Sequence, residues 1–207
     1  MRNLICMIFA LLLMQSAGQA LARDEQIPAA DDPIVHWQNL NRELANFFYK
    51  GDLKDSLKAA KKSLIFAQEH FGANSGQTAA SMNNLALVYK RLGKYEQALP
   101  LYEESLKTMM AVLGTTHAAV AVCMDNIAEL LKILGQYERA EYYYAQVLTI
   151  RRRVLEPNDC KIALAMNNLA GLYAAKKDYD RASDAYLSAL AIYSNSLAAN
   201  RLAVVQT

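Results

Sequence analysis

With 207 residues, 54% of them hydrophobic and 20% charged, the chain is long enough for one domain or two small ones and too apolar to be disordered by default. A formal net charge of only +2 excludes a strong electrostatic footprint for nucleic acid or anionic lipid.

Residues 1–22 read as an export signal. Arg2 supplies a positive start, Leu4 to Met14 is an unbroken apolar run, and Ala20-Leu21-Ala22 is a small-x-small cleavage signature. The run is well short of the roughly 20 apolar residues a membrane span needs. Cleavage after Ala22 is expected, which places the mature protein in a periplasm or outside the cell, with no stable membrane insertion. No cysteine sits just beyond that point, so no lipid-anchored product is expected. Cys123 and Cys160 remain in the mature chain. An oxidising compartment permits a disulfide between them, but a bridge depends on a Cα separation that sequence does not give. Two reduced thiols are the simpler expectation, and their spacing matches no zinc pattern.

Residues 23–32 are a polar leader, and Asp32-Pro33 then looks like a helix start, with Asp as the cap and Pro at the first helical position. From there the chain repeats itself. Met82, Met124 and Met166 are 42 residues apart, and each opens the same sentence: MNNLALVYKRLGKYEQAL, MDNIAELLKILGQYERAE and MNNLAGLYAAKKDYDRAS. A fixed period of this size signals a stacked array. The frame divides residues 33–197 into about 33–72, a degenerate first copy, then 75–114, 117–156 and 159–197, leaving 198–207 as a tail. That tail reads as the start of a further first helix that stops.

Within each copy two helices are predicted. Met82, Leu85, Ala86, Tyr89 and Leu92 recur at helical spacing, Gly93 ends that helix, and Tyr95, Ala98, Leu99, Tyr102 and Leu106 form the stripe of the next. The third copy repeats this with Ile127, Ala128, Leu131, Gly135, Tyr137, Ala140, Tyr144 and Leu148. The fourth has Leu169, Ala170, Tyr173, Tyr179, Ala182, Tyr186 and Leu190, with Lys177 in place of the turn glycine. Small residues at 86, 128 and 170, opposite 98, 140 and 182, let two helices cross at close range. Such a hairpin cannot bury both faces alone, so neighbours must stack.

The pattern L-A-x-x-Y-x-x-x-G-x-Y-x-x-A-x-x-x-Y-x-x-[SAV]-L resembles the tetratricopeptide repeat, whose usual length is about 34 residues. The longer period and the N-N-L-A in the first helix resemble the kinesin-light-chain-type subfamily, over about residues 37–197. The chain departs from that subfamily in its inter-repeat linker, where His-Pro is common. Here those positions are Ser75-Gly76, His117-Ala118 and Asp159-Cys160. HEAT repeats share the period but not the Gly-x-Tyr turn, and a propeller would need strands. The expected fold is all-α, a right-handed superhelical solenoid of helical hairpins.

The sequence carries no enzyme signature. His36, His70 and His117 occupy unrelated places in the repeat frame and read as solvated surface side chains. There is no metalloprotease, nucleophile-elbow, P-loop or dinucleotide motif. No catalytic residue, metal or cofactor is therefore expected, and neither is a nucleic-acid partner. Arg151-Arg152-Arg153 lies near a helix C-terminus, where positive charge suits the dipole, and its members point in three directions.

In a stacked array the first helices line the inner surface, and a stripe offset from the core is expected to be exposed there. In the second copy that stripe is Ala80, Asn84, Leu87 and Arg91, beside Asn83 and Lys90. In the third it is Val122, Asn126, Glu129 and Ile133, beside Asp125 and Lys132; in the fourth it is Leu164, Asn168, Gly171 and Ala175. Asn84, Asn126 and Asn168 thus share one repeat position, although Asn costs roughly 0.6 kcal/mol against Ala inside a helix. An amide offers a donor and an acceptor to the backbone of an extended peptide, and the family resemblance implies that role. Bridging of adjacent helices within the scaffold is the alternative. Lys90, Arg91 and Lys132 bias the surface towards an acidic or C-terminal carboxylate segment, with Glu129 and Asp125 opposing. The expected function is an exported scaffold that holds an extended segment of a protein or peptide partner. The alternative is an assembly protein that self-associates, or docks, through an uncapped C-terminal face.

Overall fold

The computed structural model describes residues 32–205, with side chains from 32 to 196. The predicted signal and all but Asp32 of the polar leader lie outside the described residues. Among these residues there are eight helices and no strand: α1 Pro33–Lys50, α2 Leu53–Phe71, α3 Gly76–Arg91, α4 Tyr95–Leu113, α5 Ala118–Ile133, α6 Tyr137–Val154, α7 Cys160–Ala175 and α8 Tyr179–Val205. None of them is long and apolar enough to cross a membrane. The chain forms two compact units that divide between Cys123 and Met124, within α5.

The helix starts are chemically legible. Asp32 accepts from the Ile34 backbone N–H at 2.7 Å, with Pro33 at the first helical position. Ser75 caps α3 through the Thr78 N–H at 3.1 Å, and Asp159 caps α7 through the Lys161 N–H at 2.7 Å. His117 lies midway between these two positions in the 42-residue frame. It is half-buried and its Nδ1 accepts from the Ala119 N–H at 3.1 Å. The expectation of a solvated side chain is corrected there: this imidazole caps a helix.

The turn inside each hairpin is one structure written four times. Gly93 at φ 72° donates to Lys90 O at 3.1 Å and Lys94 donates to Tyr89 O at 2.9 Å. Gly135 and Gln136 repeat the pair on Lys132 and Leu131, and Gly51 and Asp52 make it on Phe48 and Phe47. This is the Schellman closure, which needs a left-handed residue after the helix. In the last hairpin Lys177 takes that conformation, φ 62°, and is the only non-glycine among the described residues to do so.

The small residues pack as their spacing predicts. Ala86, Ala98, Ala128, Ala140 and Ala170 are fully buried and Ala182 is 4% exposed. Tyr102 and Tyr144 are buried beside them, whereas Tyr186, their counterpart in the last copy, is 39% exposed. In the first unit a polar seam crosses the core. Trp37 Nε1 donates to Ser81 Oγ at 2.8 Å, the Ser81 and Ser63 hydroxyls lie 3.2 Å apart, and Ser63 Oγ donates to Asn41 Oδ1 at 3.2 Å. Buried hydroxyls are tolerated because they are hydrogen-bonded. Cys123 and Cys160 are free thiols. Cys123 is buried, its Sγ donates to Tyr102 O at 3.4 Å, and burial pushes its pKa up to about 12.

The reading of 198–207 as a new first helix is corrected. Helix α8 continues without a break to Val205, because AANRLAVV contains neither Gly nor Pro to stop it.

Candidate functional site

In the first unit, α3 is buried almost all round from Thr78 to Val88. Asn84 is only 2% exposed, and its Nδ2 donates to Asn41 Oδ1 of α1 at 2.9 Å. Ala80 and Leu87, expected on the same open stripe, are buried too. The exposure expected of that stripe is therefore corrected: Asn84 faces the preceding first helix and bridges to it. Lys90 is buried, while Arg91 is exposed at the helix end, its guanidinium carbon 5.6 Å from the Phe48 ring centroid.

The second unit repeats the bridge and keeps an accessible surface. Asn168 Nδ2 of α7 donates to Asp125 Oδ1 of α5 at 3.0 Å, across the same 43-residue separation as Asn84 and Asn41. Asn126, Glu129 and Lys132 on α5, and Asn167, Asn168 and Gly171 on α7, are all half-buried. Asn168 and Gly171, three apart, share one face of α7. At Gly171 the missing side chain leaves the helix surface open to two groups. A Cβ there would lie 3.7 Å from the Tyr186 hydroxyl and 3.8 Å from Lys132 Nζ. The structure thus converges Lys132, Tyr186 and the α7 surface, of which only Lys132 and Asn168 were picked out as contact residues by sequence.

Asp125 carries more than the amide bridge. Its Oδ2 is 3.3 Å from Arg151 Nη2, and Arg151 Nη1 donates to Lys161 O at 2.9 Å. Arg151 is 7% exposed, whereas Arg152 and Arg153 are exposed, so one of the three arginines is structural. The register had a signal for it: the same position in the second copy is Met109, a core residue 2% exposed. Burial raises the pKa of the Tyr144 hydroxyl, with the charges of Asp125 and Glu129 adding to the effect.

A second cluster lies at the turn of the last hairpin. Lys176 Nζ is 2.7 Å from Glu141 Oε2, Arg181 Nη1 is 3.1 Å from Glu141 Oε1, and Arg181 also pairs with Asp178. The Lys176 hydrogen bond holds the Glu141 carboxyl below the usual range. The guanidinium lies 4.4 Å from the Tyr173 ring centroid. These cations are engaged within the scaffold.

The tetratricopeptide repeat family model matches residues 39–111, 86–153 and 121–195. Among solved structures, BtubC (BKLC) from P. vanneervenii is similar with a TM-score of 0.72 and 22% identity, covering 90% of this chain and 74% of that one. Kinesin light chain TPR-like repeats from Podosopora anserina are similar at a TM-score of 0.64 and 16% identity, covering 90% of this chain and 86% of that one. At such identities the likeness is one of fold. No curated protein matches the chain. Three overlapping matches that span the array, with the repeat structure itself, identify the chain as a member of the tetratricopeptide repeat family.

Proposed function

We propose that this protein is an exported scaffold that performs no chemistry and holds an extended segment of a partner protein against its first helices. Tetratricopeptide arrays are protein–protein interaction scaffolds. The observation that supports a peptide-holding surface here is the half-buried polar face of the second unit. Asn126, Lys132 and Asn168 stand on it, over helices fixed to each other by the Asn168–Asp125 bond. Export rests on the apolar run and cleavage signature of residues 1–22.

The test is display panning. A random dodecapeptide library is passed over wild type and over the Asn126→Leu/Lys132→Glu double variant, with helicity checked by circular dichroism. Wild type enriches a sequence family that the folded variant does not. Equal enrichment by both refutes the assignment. Export is tested by fractionation of the full-length chain: a product beginning at Arg23 outside the cytoplasm is expected, and an uncleaved cytoplasmic chain contradicts it.

A second reading has its own observation. On α8, Tyr179, Leu187 and Leu190 are 67%, 61% and 60% exposed, and Leu106, the counterpart of Leu190 in the second copy, is 7% exposed. That stripe suits self-association through the last hairpin. It predicts a dimer that Leu187→Glu/Leu190→Glu dissociates, while peptide selection is unchanged.

A further inference from the structure

The small net charge conceals a segregation of charge between the second helices of the first unit. On α2, Lys54, Lys58, Lys61 and Lys62 are all exposed and recur at helical spacing, so they form one ridge. The opposite face of that helix is sealed, with Ser56, Ala59, Ala60, Ser63 and Ala67 buried. None of the four lysines has an ion pair or hydrogen bond among the described residues, whereas Lys176 and Arg181 in the second unit are held by Glu141. One copy later the register inverts the sign. Glu96, Glu103 and Glu104 of α4 stand at the positions of Lys54, Lys61 and Lys62, and all three are exposed.

Both ridges flank the same helix. The hydroxyl of Ser63 on α2 lies 3.2 Å from that of Ser81 on α3, and Ser105 Oγ of α4 donates to Ala79 O of α3 at 2.6 Å. Helices α2 and α4 hold the same place in successive copies and expose the same register positions, so the two ridges run in parallel on one side of the unit. The lysines reach no carboxylate across the gap. A flat anionic surface meets both ridges, and the repulsion of one offsets the attraction of the other. An acidic segment laid along α2 leaves the α4 carboxylates unanswered. A second copy answers both. A twofold axis running between the ridges, along their length, lays α2 of each copy on α4 of the other in the same direction, so residues of equal register meet. Opposite charge at equal register is the self-complementarity which that symmetry requires.

We propose that the first unit forms a twofold dimer through this outer face, with Lys54 of each copy against Glu96 of the other, and Lys61 and Lys62 against Glu103 and Glu104. Each contact occurs twice by symmetry. Ile65, 55% exposed on the same ridge, meets the aliphatic stem of Lys107 of the second copy, its register equivalent. Exposed ion pairs are individually weak and screened by salt, so the dimer is loose and its strength falls with ionic strength. The residues proposed to hold a partner, Asn126, Lys132 and Asn168, lie on α5 and α7 and take no part, so the dimer carries that face twice. A partner with two copies of its segment then binds with avidity.

The experiment is sedimentation equilibrium of the protein purified after expression of the full-length chain, at concentrations up to about 0.3 mM and at about 0.05 M and about 0.5 M salt. Wild type is compared with Lys54→Glu/Lys62→Glu, with Glu96→Lys/Glu104→Lys, with the quadruple variant that combines them, and with Leu187→Glu/Leu190→Glu. Circular dichroism confirms that each is folded. Wild type is expected to dimerise at low salt, with a dissociation constant that rises roughly tenfold or more at high salt. Each double charge reversal should weaken the dimer by at least roughly tenfold at low salt, because like charges then meet. The quadruple variant keeps the net charge of wild type and opposes the same positions with the signs exchanged, so it should dimerise like wild type. Leu187→Glu/Leu190→Glu should change nothing. A wild type that stays monomeric at low salt overturns the proposal, and its sedimentation with phosphatidylglycerol vesicles would then assign the lysines to a lipid surface. A dimer that survives either double reversal, a quadruple variant that stays monomeric, or a dimer lost in Leu187→Glu/Leu190→Glu overturns it equally.

Discussion

Arg151 occupies a core position of the repeat, and this yields a quantitative test of the register. Its side chain is 9% exposed and that of Asp125 17%, with the guanidinium shared between Asp125 and the Lys161 carbonyl. Removing one member of a buried ion pair typically costs about 3–5 kcal/mol, because the other charge stays buried. Asp125 retains some solvent and the Asn168 amide, so Arg151→Met should cost less, about 2–3 kcal/mol. Asp125→Asn leaves the guanidinium with its carbonyl partner and should cost about 1–2 kcal/mol. The second copy has already solved the problem without charge, with Asn83 and Met109 at these two positions. The double variant Asp125→Asn/Arg151→Met imports that solution and should come within about 1 kcal/mol of wild type, since replacing both charges is often near neutral. Urea unfolding followed by circular dichroism reads this directly. At a slope near 2 kcal/mol/M, Arg151→Met alone lowers the midpoint by roughly 1–1.5 M, and the second substitution restores most of it. A double variant as unstable as the sum of the two singles would show that the pair is uncoupled, and would refute the transfer between copies.

Three further outcomes follow from single positions. Lys177→Gly should raise stability by about 1 kcal/mol, since a side chain in the left-handed region is strained and the other hairpins place glycine there; an unchanged or lower unfolding midpoint contradicts this. Gly171→Ala should stabilise α7 by roughly 0.5–1 kcal/mol, because the added methyl meets only ordinary contacts; destabilisation would mean that the helix surface there is closed. Iodoacetamide at pH 8 should label Cys160 in the native protein and spare Cys123. The Cys123 thiol, pushed up to about 12 by burial, is ionised to only about one part in ten thousand at that pH. Peptide mapping that finds Cys123 alkylated without denaturant would show that the α4–α5 contact opens.

The hairpins, their turns and their buried alanines were legible because the same residues recur at a fixed period, and each recurrence has one physical cause. Among the N-caps, Asp32, Ser75 and Asp159 carry a residue type that announces itself, and His117 does not. Arg151 was readable from its register with Met109, not from its own identity. The amide ladder was harder. Helical spacing assigns a stripe, but successive residues are only about 100° apart around the axis. An offset stripe therefore does not separate the side facing the next first helix from the side facing open space. Asn84 and Asn168 fall on the former, each bonded to the preceding first helix. Gly171 was in the stripe, but its consequence depends on where Lys132 and Tyr186 reach, which only three-dimensional contact supplies. The continuation of α8 was readable in principle, as nothing in residues 198–205 breaks a helix.

The most direct test of the account is nuclear magnetic resonance of the isotopically labelled protein, titrated with a peptide selected by panning. The account predicts that the side-chain amide of Asn126 and the backbone amides of α7 around Gly171 shift with saturating dependence on peptide, while α8 beyond Leu187 stays still. Shifts confined to Leu187, Leu190 and their neighbours on α8, with Asn126 and Gly171 unmoved, would contradict it and assign the contact surface to the last helix.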